Sequence, residues 1–76
     1  MTVTAPRPQY RRYRITVHVP LWLAWQFSGF TINGPVLDED GVSMMSLRQE
    51  RLDTDPEAIH EEYMKMGAEY VEVRPL

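Results

Sequence analysis

Cysteine is absent from this chain, which excludes disulfides and thiolate metal sites and fits a reducing, cytoplasmic setting. Long apolar runs are missing too. The longest, from Ile15 to Phe27, is broken by His18, Pro20 and Gln26 and is too short to span a bilayer, so no membrane partner is expected. Met1-Thr2-Val3-Thr4-Ala5-Pro6 lacks the basic stretch and apolar run of a secretory signal. The four glycines, at 29, 34, 41 and 67, are too scattered to cradle a phosphate.

Catalytic constellations are equally scarce. There is no Gly-x-Ser-x-Gly, and no base is placed by sequence beside Ser28, Ser43 or Ser46. His60-Glu61-Glu62 is not the pair of histidines one helical turn apart that a zinc hydrolase uses, and a metal site would need the distant His18 to join His60 and a carboxylate. Asp38, Glu39 and Asp40 share a loop but lack the ligand series and closing glutamate of an EF-hand, so the loop reads as a solvated turn. No enzyme, metal or cofactor is therefore expected, and a single domain of 76 residues has little room for an enclosed pocket. A chain this short buries only about 60% of its unfolded surface, so without staples it depends on good packing or on a partner.

Aromatic surface, by contrast, is concentrated in one place. Pro20-Leu21-Trp22-Leu23-Ala24-Trp25-Gln26-Phe27-Ser28-Gly29 holds both tryptophans and one of the two phenylalanines. Charge is unevenly spread as well. Arg7, Arg11, Arg12 and Arg14 open the chain with no acid among them, while Asp38 to Glu62 carries nine acids against Arg48 and Arg51. Such polarity steers partners, pairs copies head to tail or solvates two ends.

Taken in order, residues 1–9 read as a flexible arm and residues 10–76 as one domain. Tyr13, Ile15, Val17 and Val19 alternate with Arg12, Arg14, Thr16 and His18, which predicts a strand that Pro20 closes. Leu21 to Phe27 fits either a short helix, with Leu21, Trp25 and Ser28 on one side, or an irregular aromatic loop. Phe30-Thr31-Ile32 is a short strand candidate, and Asp38-Glu39-Asp40-Gly41 between Val36-Leu37 and Val42 to Met45 predicts a hairpin. Residues 43–52 suit a strand or a helix; a strand to about Gln49 is preferred because a helix start follows. There Thr54 with Glu57 forms a capping-box pattern, and Asp55 before Pro56 offers a second cap. Ile59, Tyr63 and Met66 recur at helical spacing, Gly67 stops the helix, and Tyr70 to Arg74 alternate as a final strand.

The expected fold is α+β: a small three- to four-stranded, mostly antiparallel sheet with one helix from the C-terminal half packed on one face. The expected inward set is Ile15, Val17, Val19, Ile32, Leu47, Ile59, Tyr63, Met66, Val71 and Val73. The last third, Pro56 to Leu76, resembles the helix–glycine–strand ending of two small families. One is the small linker domain of cyanobacterial phycobilisomes, similar in Lys65-Met66-Gly67 before a Val-rich strand and in Ile15-Thr16-Val17 before Pro20. The other is the short phage-encoded inhibitors of bacterial RNA polymerase, which also end in a strand with Val, Arg and Pro. Both resemblances imply a non-catalytic protein that docks onto a larger assembly; each covers less than a third of the chain, and no family assignment rests on them.

Two functions fit these residues. In the first, the chain is a protein-binding accessory subunit, adaptor or inhibitor, with Trp22, Trp25 and Phe27 as anchors and Arg11, Arg12 and Arg14 steering toward acids. In the second it binds nucleic acid, with phosphate contacts from Arg7, Arg11 and Arg12 and stacking faces from Tyr10 and Tyr13, although an acidic second half and a pI near 5.2 oppose a polyanion. Trp22 and Trp25 as core plugs remain the alternative to anchors, and self-association is a natural outlet for a chain with so few staples.

Overall fold

The structure, a computed structural model, describes residues 9–76; the expected arm over residues 1–9 lies outside the described residues except for Gln9. The alternating stretch forms β1 (Arg11–Pro20), and its odd residues from Tyr13 to Val19 are buried while the even ones face the other way. This ten-residue strand templates its neighbours. β3 (Ser43–Asp53) runs antiparallel along one side, from Arg11↔Asp53 to Pro20↔Met44. β4 (Tyr70–Pro75) runs antiparallel along the other, and β2 (Thr31–Leu37) pairs with the outer side of β3, giving the order β2-β3-β1-β4. β1 and β2 are thus parallel with β3 between them, and β3 and β4 are parallel with β1 between them. These two interleaved crossovers follow the split β-α-β, ferredoxin-like plan, with the first crossover reduced to a 3-10 helix, Leu21–Gln26.

The second crossover is α1 (Pro56–Lys65), and its ends are set locally. Of the two possible caps Asp55 takes the role: its Oδ1 accepts the amides of Glu57 at 3.0 Å and Ala58 at 3.2 Å, with Pro56 in the first turn. At the far end Gly67 sits at φ +105°, its amide donates to Met64 O, and the Ala68 amide donates to Tyr63 O. That pair of bonds is a Schellman stop, and the accompanying apolar contact is supplied by Ala68 and Tyr63, both buried.

Ile59 and Tyr63 of α1 close over Ile15, Val17, Val19, Leu47 and Val71, as the helical and strand periods require. Arg51 buckles this layer from β3, donating to Glu62 at 2.8 Å and to the Tyr63 hydroxyl at 3.1 Å, while its Nε lies 3.0 Å from Asp53. The hydrogen bond to Glu62, more than any other contact, raises the guanidinium pKa above its usual value.

Two expectations change. β3 does not end near Gln49 but continues to Asp53, because β1 offers an unbroken row of partners down to Arg11. Ile32, expected inside, is 67% exposed: it lies on the outermost strand beside a register shift between Ile32 and Gly34. Its place over the core is taken by Phe27 and Phe30, which meet Tyr63 at centroid distances of 6.0 Å and 5.2 Å. The 3-10 helix and α1 therefore share one face of the sheet, and the opposite face carries no helix among the described residues.

Candidate aromatic docking surface

Pro20 ends β1 with backbone angles of −57° and 146°, and the chain then tightens into the 3-10 helix. At three residues per turn, positions three apart eclipse. The winding therefore sets Trp22 and Trp25 on one side of the helix. Both indoles point to water, at 73% and 77% exposure, and Leu21 beside them is more than half exposed. The remaining sides of the same helix hold it down. Leu23 reaches Gly67 at the end of α1, Ala24 is half-buried, and Phe27 is 5% exposed against Phe30 and Tyr63. Phe27 is thus a core residue that fastens the indole-bearing segment; this corrects its expected role as an anchor offered to a partner.

Beneath Trp22 the surface is concave. Pro20, Leu21, Trp22, Val42 and Met44 line a groove of about 300 Å³. It continues past Met44 into a second groove of about 390 Å³ that runs along His18, Tyr70, Val36 and Leu37. Met44, though on the sheet face without a helix, is buried in this floor. Among the described residues, every charged one lining the two grooves is an acid: Asp38, Glu39, Asp40 and Glu69. The hairpin turn fixes three of them, since Asp38 Oδ1 accepts the amides of Asp40 at 2.9 Å and Val42 at 2.7 Å. His18 stacks on Tyr70 with centroids 4.6 Å apart, and the Tyr70 hydroxyl donates to Glu72 at 2.8 Å. That bond to a carboxylate raises the phenol pKa above its usual value of 10.0.

The arginines lie elsewhere. Arg11 and Pro20 mark opposite ends of the β1–β3 ladder, which at about 3.3 Å per residue puts Arg11 and Arg12 roughly 25–30 Å from the indoles. Adjacency in sequence becomes separation in space, because an extended strand intervenes. Arg11 and Arg12 also project to opposite faces, and Arg14 sits 3.5 Å from Glu50 across the ladder. Of the residues expected to contact nucleic acid, Tyr10 is exposed, Tyr13 is 5% exposed in the core, and Arg7 lies outside the described residues. His18 is on β1 and His60 on the exposed side of α1, and no metal-holding group of three or more His, Cys, Asp or Glu occurs among the described residues. Nor is any helix among them long and apolar enough to cross a membrane.

Sequence reasoning placed Leu21 in the aromatic segment and offered Met44 as an extension of it, but missed Tyr70 and Glu69 as members of this surface. They come together only through the pairing of three strand ends, for which the linear sequence carries no signal. No protein-family model matches the chain, and no curated protein or solved structure matches it.

Proposed function

We propose that this chain is a non-catalytic protein-binding module that docks through Trp22 and Trp25 onto a partner presenting cationic side chains. The observation that carries this reading is the two indoles on one side of the 3-10 helix, both more than 70% exposed, while half-buried Leu23 and Ala24 and the buried Phe27 at its end hold the helix down. Indole surface left in water is the composition of an interface hot spot, and a rigid platform lowers the entropy lost on docking. The acids around the adjoining grooves select for Lys or Arg on the partner, since a cation there meets both carboxylates and the faces of Trp22, His18 and Tyr70. This reverses the direction of steering expected when Arg11, Arg12 and Arg14 were read beside the aromatic segment.

Because Trp22 and Trp25 are the only tryptophans, intrinsic fluorescence reports on this surface alone. Proteins captured from a lysate by the wild-type chain and by a Trp22→Ala/Trp25→Ala double variant should differ by the partner. The captured protein, added back to wild type, should shift the indole emission to the blue. Identical capture by both chains, with the double variant retaining its circular dichroism, refutes the reading. The alternative, nucleic-acid binding through Arg7, Tyr10, Arg11 and Arg12, predicts instead that single-stranded DNA binds, weakens by orders of magnitude between low and moderate salt, and leaves indole emission unmoved.

A further inference from the structure

The two edges of the sheet are built differently. β2, at one edge, carries Gly34 at φ +137°, Pro35 and a register shift, devices that prevent another strand from adding. β4, at the other edge, is regular from Tyr70 to Arg74, and no strand among the described residues pairs with its outer side. The Leu76 amide donates to Arg12 O at 2.9 Å, which fixes the parity of the β1–β4 ladder. Residues 70, 72, 74 and 76 direct their backbone groups at β1, so Val71 and Val73 direct theirs outward, joined by the carbonyl of Pro75.

We propose that this edge pairs with the same edge of a second copy, antiparallel about a two-fold axis at Val73. Val73 then exchanges N–H···O=C bonds with Val73 of the second copy, and the Val71 amide reaches the Pro75 carbonyl; proline's missing amide costs only one acceptor. Glu72 falls opposite Arg74 of the second copy in a non-hydrogen-bonded pair, where side chains stand closest. Tyr70 falls opposite Leu76, so two apolar side chains now 43% and 54% exposed cover each other. The neighbouring two-fold registers are excluded by charge, since they set Glu72 on Glu72 or Arg74 on Arg74. Within one chain Arg74 stands directly opposite Arg14 and, among the described residues, is matched by Glu72 of its own strand, at 3.1 Å and largely in solvent. A second copy brings Glu72 directly opposite Arg74, a further acid beside this like-charge pair. The inference does not depend on the indoles, and the aromatic surface shares only Tyr70 with β4.

The test is the mass in solution by sedimentation, together with amide hydrogen exchange. Wild type should sediment at twice the 8.9 kDa chain mass, with the Val71 and Val73 amides protected along with the rest of β4. Glu72→Arg and Arg74→Glu should each weaken the dimer by on the order of tenfold to a hundredfold, since two opposite-charge pairs become two like-charge pairs. An equimolar mixture of the two variants, and the Glu72→Arg/Arg74→Glu swap, should restore it. A monomeric wild type with fast exchange at Val71 and Val73 overturns the proposal. So does a dimer that both single variants leave intact.

Discussion

Trp22, Trp25 and Phe27 lie within six residues of one another, yet truncating each to alanine should have very different costs. Phe27 is 5% exposed and in contact with Phe30 and Tyr63, so Phe27→Ala loses the whole ring from the core and leaves a cavity. The expected cost is about 3–5 kcal/mol. A domain of this length has a total stability on the order of 4–11 kcal/mol, so that variant should be largely unfolded or close to it. Each indole, by contrast, keeps only about a quarter of its surface from water. At roughly 25 cal/mol per Å² that amounts to about 1–1.5 kcal/mol for Trp22→Ala and for Trp25→Ala. Urea unfolding followed by far-ultraviolet circular dichroism measures all three without relying on indole emission. The reasoning fails if either tryptophan variant loses as much as Phe27→Ala, because the indoles would then be structural and their exposure would carry no message about a partner. It fails equally if Phe27→Ala is silent, since nothing would then hold the 3-10 helix rigid.

Two further outcomes follow from local geometry. Gly67→Ala must strain a backbone at φ +105° and place a Cβ 2.8 Å from Leu23 Cδ1, so it should cost about 2–3 kcal/mol, whereas Gly41→Ala, at φ +79° with nothing within 4 Å, should cost about 1 kcal/mol; thermal melts compare them. The Thr54 amide at 2.7 Å, then the Asp55 amide at 3.3 Å and the neighbouring Arg51, hold the Asp53 carboxyl below the usual value of 3.8. A pKa depressed by folding means its stabilisation is present above the unfolded value and is lost as acid takes the pH down through the folded one. Asp53→Asn should therefore flatten part of the stability loss between about pH 5 and pH 2, read from urea midpoints at each pH, and an unchanged slope would falsify the assignment.

Much of the fold is legible along the chain because its signals are short-range. Alternation from Tyr13 to Val19 has one low-energy solution, a strand with one buried face. Asp55-Pro56 and Gly67 bracket a helix whose Ile59 and Tyr63 share a side. The acidic turn ending in Gly41 closes a hairpin. Where reading failed, a distant element had the decisive vote. The length of β3 was set by β1, and Ile32 was left outside because Phe27 and Phe30 reached the core first. Tyr13, a stacking face by sequence, is buried under α1 and the rest of its layer.

The sequence by itself determined that this is an α+β domain with no staple and with more indole surface than its size accommodates, since composition and period are properties of neighbours in the chain. Only the tertiary structure decided what surrounds those indoles. A ten-residue strand carries the N-terminal arginines to one end of the sheet and the aromatic helix to the other, while two hairpin and crossover turns deliver Asp38, Glu39, Asp40 and Glu69 beside Trp22. Electrostatic attraction depends on distance through space, and strand pairing, not sequence order, sets that distance.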